Sequence, residues 1–103
     1  MQKIDFNELE TAAGFFIQNE DFGKAICIYL SMADGDSSLD GGYIGEMLGR
    51  CYEAQNCLIA ANYWFGRAIE ENPEVRSYSI QARDRLKSVG IDSIMNEFRI
   101  SKN

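Results

Sequence analysis

The sequence contains no histidine, so the side chains that could carry out chemistry are its three cysteines and its Asp and Glu carboxylates. Cys27, Cys51 and Cys57 form no C-x-x-C pair, so their spacing fits neither a zinc site nor a redox pair. We interpret them as free thiols in core or boundary positions, which is typical of a reducing compartment. The sequence therefore predicts no metal ion and no cofactor.

Catalytic motifs are missing as well. Glu70 and Glu71 are neighbours in sequence and point to different sides of a helix, so they do not form an acid–base pair. The glycines between Gly41 and Gly49 lack the preceding strand and the following lysine that a phosphate-binding loop needs. No G-x-S-x-G motif occurs. We predict that the chain is not an enzyme and acts by binding.

The charge of the chain is negative and unevenly placed. The net charge is −6: residues 1–73 hold twelve acids and four bases, whereas residues 74–103 hold four acids and six bases. Because an acidic body repels phosphate backbones, we expect no direct binding to nucleic acid. The first five residues turn acidic before any apolar segment, and uncharged stretches such as Thr11–Asn19 are too short for a bilayer. We expect a cytoplasmic protein with no membrane association.

Apolar residues recur at helical spacing along most of the 103 residues, which predicts one all-helical domain. Two apolar stripes precede a polar, glycine-rich loop at 34–42, and two more end before Pro73. A fifth helix is predicted over 74–89, with Gly90 as its C-cap. The segment 91–100 predicts a short sixth helix with one apolar face, formed by Ile91, Ile94, Met95 and Phe98.

The first two helices resemble the next two at a constant offset of 36 positions. The matched pairs are Ala13 and Gly49, Phe16 and Tyr52, Ala25 and Ala61, and Tyr29 and Phe65. Self-similarity at this period indicates stacked helix–turn–helix units.

The residues of these units resemble the tetratricopeptide repeat. The second unit, about 42–75, carries the small, aromatic and proline positions of that family: Leu48, Gly49, Tyr52, Ala61, Phe65, Ala68 and Pro73. The first unit, about 6–39, supplies Leu9, Ala12, Ala13, Phe16, Ala25 and Tyr29, and departs from the pattern at Met32 and Ser37. The period and Tyr63-Trp64-Phe65 are also similar to Sel1-like repeats, a cousin family. The resemblance implies antiparallel helical hairpins stacked as a short right-handed superhelix of five to six helices, with helix 74–89 as the end cap.

The resemblance also implies a function, because tetratricopeptide arrays hold peptides or helices of partner proteins in a groove lined by the first helix of each unit. The implied groove residues are Asn7, Glu10, Thr11, Gly14, Ile17, Tyr43, Glu46, Met47, Arg50 and Glu53, joined by Ile80, Gln81 and Asp84 of the cap helix. With Glu10 and Glu46 at its centre, such a groove repels a carboxylate and favours a basic or amphipathic partner segment. We therefore expect an adaptor or small chaperone.

Two other functions stay open at this point. The acidic body could mimic nucleic acid and block a DNA-binding protein, or exposed Leu30, Ile59 and Trp64 could build a homo-oligomer, such as a homodimer. The amphipathic segment 91–100 could dock on the body, fill the groove, or bind a partner. We expect docking on the body, because a two-unit array has little core to spare.

Overall fold

The computed structural model describes residues 5–35, 42–87 and 91–102, and the regular structure in these ranges is entirely helical. The helices are α1 (Phe6–Gln18), α2 (Phe22–Asp34), α3 (Tyr43–Ala54), α4 (Leu58–Glu71), α5 (Ser77–Leu86) and α6 (Ile91–Lys102). The predicted all-α fold with five to six helices is confirmed. Most of the predicted loop at 34–42, and Gly90, lie outside the described residues.

The helix starts follow from local capping. The carboxylate of Asp5 accepts a hydrogen bond of 2.7 Å from the backbone N–H of Glu8 at the start of α1, and Asp21 does the same for Lys24 in α2 at 3.3 Å. At the start of α3, Gly42 has φ +88° and lies so close to α4 that a Cβ there would be 2.6 Å from the carbonyl oxygen of Ala68. Glycine is therefore required at this position by both conformation and space.

The turns inside the two hairpins have the same backbone geometry, 36 residues apart. Glu20 and Asn56 both adopt the left-handed conformation, with φ 58° and 61°. In the first turn the N–H of Asp21 donates to the carbonyl of Phe16 at 2.8 Å. In the second the N–H of Cys57 donates to the carbonyl of Tyr52 at 2.9 Å. These are Schellman turns, so the repeat seen in the sequence is also present in the backbone of the hairpins.

The helices of the body pack in chain order, α1 on α2, α2 on α3, α3 on α4 and α4 on α5, and α3 also touches α5. We call this body, residues 5–35 and 42–87, the helix stack. Most of the residues paired at the 36-position offset lie in its interior: Ala13, Ala25, Ala61 and Phe65 are fully buried, and Tyr29 is almost so, whereas Phe16 and Tyr52 are partly buried. A Cβ at Gly49 would be 2.6 Å from the ring of Phe65, which explains why this close crossing of α3 and α4 uses glycine.

Two predictions about the C-terminal part need correction. The fifth helix begins at Ser77 and not at Glu74, because the segment after Pro73 forms a turn in which the N–H of Val75 bonds to the carbonyl of Asn72. The described side chains of α6, residues 94–102, are all exposed, so the expected docking on the body is wrong for Ile94, Met95 and Phe98. The side chain of Ile91 lies outside the described ones.

Candidate protein-binding surface

The predicted groove runs along α1, α3 and α5, and its first acid already has partners within the protein. The hydroxyl of Tyr43 in α3 lies near the carboxylate of Glu10 in α1 and near the hydroxyl of Tyr29 in α2. Burial and the nearby Glu10 carboxylate raise the pKa of the Tyr43 phenol above its ordinary value. Glu10 therefore interacts with α3, although it is an exposed residue.

The second acid, Glu46, is an internal residue. Its side chain accepts a hydrogen bond of 2.7 Å from the hydroxyl of Ser79, which is completely buried in α5. Nη2 of Arg50 and Nη1 of Arg76 lie 3.6 and 3.7 Å from its other oxygen. The carboxylate is thus buried with opposite charges and a hydroxyl around it, the arrangement that a buried charge needs. The expectation that Glu46 faces a ligand is wrong, because this residue joins α3 to α5.

The remaining polar groove residues of α3 are also engaged with α5. Arg85 makes a two-pronged ion pair with Glu53, with N···O distances of 3.0 and 3.1 Å. The guanidinium of Arg50 lies 3.8 Å from the centre of the Tyr78 ring, a cation–π contact. The groove between α3 and α5 is therefore largely closed by internal contacts.

Other implied groove residues differ in their exposure. Asn7 and Thr11 of α1 are exposed, as are Ile80, Gln81 and Asp84 of α5. Gly14 is half-buried, and Ile17 and Met47 pack against the core of the first three helices. Asn7 and Thr11 are thus accessible to a partner, as the sequence interpretation requires, whereas most of the α3 residues are less accessible than it predicted.

A concave surface lies on α1, at the outer end of the helix stack. At 100° per residue, Glu8, Ala12 and Phe15 lie on the opposite side of α1 from Glu10, and Glu10 faces α3. The depression there has a volume of about 660 Å³ and is lined by Asp5, Asn7, Glu8, Thr11, Ala12, Phe15 and Phe16. Phe15 is 58% exposed and makes an edge-to-face contact with Phe16 at a centroid distance of 5.2 Å. We call this surface the α1 depression.

The α1 depression combines an apolar surface with acidic side chains. Its floor is apolar and aromatic, formed by Ala12, Phe15 and Phe16, and its rim near the start of the helix carries the carboxylates of Asp5 and Glu8. An apolar floor beside an acidic rim fits an amphipathic segment with basic residues at one end. Of its lining residues, sequence reasoning named only Asn7 and Thr11 as binding residues, and it missed the exposed Phe15.

The other features named from the sequence have clear positions. Cys51 is buried, as expected, and burial raises the pKa of its thiol to about 11. Cys27 and Cys57 are exposed, so the expected core or boundary position is wrong for them. Leu30 and Ile59 are exposed, whereas Trp64 packs partly buried against the core and offers little surface to another chain.

The described ranges hold no group of three or more acids and cysteines placed to bind a metal ion. Within the same ranges, no helix has the length and apolar character that crossing a membrane requires. In comparisons with known proteins, no family model, no curated protein and no solved structure matches this chain.

Proposed function

We propose that the chain is a short helical-repeat module of the tetratricopeptide type that binds an amphipathic, partly basic helix of a partner protein. The observation that carries this proposal is the α1 depression, with the exposed Phe15 in its apolar floor and Glu8 at its acidic rim. Each hairpin of a helical array has an apolar side that it cannot bury alone, so the terminal helices need another element packed on their apolar side. A partner helix bound in the depression buries the apolar side of α1.

The charges within the helix stack support binding at its end over the alternative of nucleic-acid mimicry. A phosphate mimic needs rows of accessible carboxylates, whereas Glu46 is paired with arginines in the interior and Glu53 is bound by Arg85. The exposed acids at the start of α1 are few and border an apolar surface. Acids beside an apolar surface are suited to binding a segment that carries both apolar and basic residues.

The exposed free thiols of Cys27 and Cys57 fit an adaptor that works in a reducing compartment, and we place its activity in the cytoplasm.

Photo-crosslinking tests the proposed site. A benzophenone amino acid is placed at Thr11, at the edge of the depression, or at Ile59 on α4, which is 50% exposed and serves as the matched control. We expect the Thr11 position to capture a defined partner in cells, and we expect Phe15→Asp to abolish that capture while Ile59→Asp preserves it. Equal capture from both positions, or capture unaffected by Phe15→Asp, contradicts the proposal.

A further inference from the structure

The helix α6 carries an apolar stripe that nothing in its described surroundings covers. Ile94, Met95 and Phe98 are 47%, 36% and 54% exposed. At helical spacing these residues share one side of α6, and Lys102 continues the same stripe one turn further on. The ammonium of Lys102 lies 5.9 Å from the centre of the Phe98 ring, and Arg99 borders the stripe. From its start to its end, this face changes from apolar to basic.

The exposed side of α1 changes in the opposite sense. It begins with the acids Asp5 and Glu8 and continues with Ala12 and Phe15. When two helices pack antiparallel, the end of one lies beside the start of the other. Antiparallel pairing of α6 with α1 therefore places Lys102 beside the acidic rim, and Phe98 and Ile94 against the apolar floor. The lengths agree too, since Glu8 to Phe15 and Ile94 to Lys102 each span roughly 10–12 Å at 1.5 Å per residue.

The two faces cannot meet within one chain. Only residues 87–90 separate α5 from α6, and the five extended peptide units from Leu86 to Ile91 reach at most about 18 Å. The first helix is joined to α3 through Glu10 and Tyr43, and α3 in turn touches α5. At a spacing of about 8–10 Å for each packed helix pair, a helix on the outer side of α1 lies nearly 30 Å from α5. The matching partner of α6 is therefore another copy of the chain.

We propose that α6 of one copy docks antiparallel in the α1 depression of a second copy, so that the chain self-associates through its two ends. This inference rests on the proposed function, because it names a second copy as an occupant of the same site. A partner protein that carries a similar helix then has to displace α6. The interface is heterologous, with different surfaces on its two sides, so it closes as a reciprocal dimer or continues as a head-to-tail chain.

Complementation between two full-length variants tests the docking. Phe98→Asp damages the docking helix, and Phe15→Asp damages the depression, while each variant keeps the other surface intact. Sedimentation velocity over a wide range of concentrations is expected to show self-association of the unaltered protein and monomers of each variant alone. An equimolar mixture of the two variants is expected to form a one-to-one complex. A mixture that stays monomeric, or variants that associate like the unaltered chain, overturns the docking.

Charge reversal provides a second test that does not depend on the aromatic side chains. We expect Glu8→Lys to weaken self-association about tenfold, and Lys102→Glu in the same chain to restore it. Glu74→Lys changes the net charge equally in an exposed turn and is expected to leave association unchanged. Circular dichroism of every variant verifies that helicity is kept. Equal weakening by Glu8→Lys and Glu74→Lys overturns the pairing, because only a general charge effect would then remain.

The crosslinking experiment separates the two proposals. If the purified chain is monomeric at every concentration and Thr11 still captures another protein, the self-docking is wrong and the proposed function stands. If Thr11 crosslinks only to α6 of another copy, the self-docking is supported and the adaptor role is wrong.

Discussion

The hydroxyl of Ser79 in α5 donates a buried hydrogen bond of 2.7 Å to the carboxylate of Glu46 in α3, across a separation of 33 residues. Tyr43 of α3 and Glu10 of α1 form a hydroxyl–carboxylate contact with the same separation in sequence. In both cases a hydroxyl near the start of one helix binds an acid of the helix two before it. The acids that a ligand-binding interpretation would assign to a partner thus hold the helices of this chain together.

We expect Ser79→Ala to destabilise the protein by about 1.5–3 kcal/mol, because a buried carboxylate loses its hydroxyl donor. Ser101→Ala, at an exposed position in α6, is the control and should change little. Urea unfolding followed by circular dichroism gives both values. A Ser79→Ala variant as stable as the control would mean that the two arginines satisfy Glu46 without the hydroxyl.

Glu46→Lys is expected to unfold most of the helix stack, because it places a third positive charge between Arg50 and Arg76. If Glu46 were an exposed groove residue, reversing its charge would leave the helicity unchanged. The far-ultraviolet spectrum at 25 °C measures it, with Glu74→Lys as a control for the change in net charge. Full helicity of Glu46→Lys would place the carboxylate at the surface and contradict its role in the interior.

Two glycine-to-alanine substitutions should have opposite signs. Gly14→Ala adds a methyl group with no atom within 4 Å and should stabilise α1 by up to about 1 kcal/mol through helix propensity. Gly49→Ala has the same propensity gain, but its methyl group meets the fully buried ring of Phe65 at 2.6 Å. Overpacking of this kind costs about 1–3 kcal/mol, so we expect a net loss. Thermal unfolding of both variants tests the close crossing of α3 and α4. A higher melting temperature in Gly49→Ala as well as in Gly14→Ala would contradict it.

Glu20→Gly should raise stability by up to about 1 kcal/mol, because Glu20 holds a left-handed conformation, with φ 58°, that favours glycine. Glu20→Ala keeps the same backbone penalty and is the matched control. Asn56→Gly should gain less, since asparagine tolerates this conformation better than glutamate. The melting temperature should rise most in Glu20→Gly, less in Asn56→Gly and not in Glu20→Ala, and an equal response to glycine and alanine at position 20 would contradict the turn geometry.

The thiol of Cys51 should make the protein sensitive to alkaline pH. Its pKa is raised from 9.0 to about 11 in the folded chain, so ionisation above pH 9 favours the unfolded state. The corresponding stability is fully present below pH 9 and is lost as the pH rises towards 11. We expect the melting temperature to fall in this window, and to fall less steeply in Cys51→Ala. A thiol reagent at pH 8 should modify Cys27 and Cys57 quickly and Cys51 only on unfolding.

The sequence was sufficient to predict the parts of this fold that depend on local pattern and on repetition. Helical spacing located the helices, and the 36-position offset identified Ala25, Ala61, Tyr29 and Phe65 as interior residues. The start of α5 was missed because the effect of Pro73 on the residues that follow depends on a turn, which periodicity does not reveal.

The candidate site was predicted less well, for a physical reason. Glu46 looks like a surface acid until Ser79, 33 residues away, supplies its donor, and no local pattern contains that pairing. The α1 depression depends on which side of the first helix remains uncovered, and this is decided by how the later helices pack. The hydroxyl–acid spacing of 33 residues is a signal that sequence reasoning could have used.

Packing in chain order also has a consequence for how the protein folds. Each helix of the stack finds its main neighbours next to it along the chain, so most contacts close short loops. Chains with such local contacts fold quickly, in microseconds to milliseconds, and short arrays can begin to fold at either hairpin. Ser79 joins α5 to α3 rather than to an adjacent helix in sequence, and its bond to Glu46 therefore forms only after the second hairpin has closed.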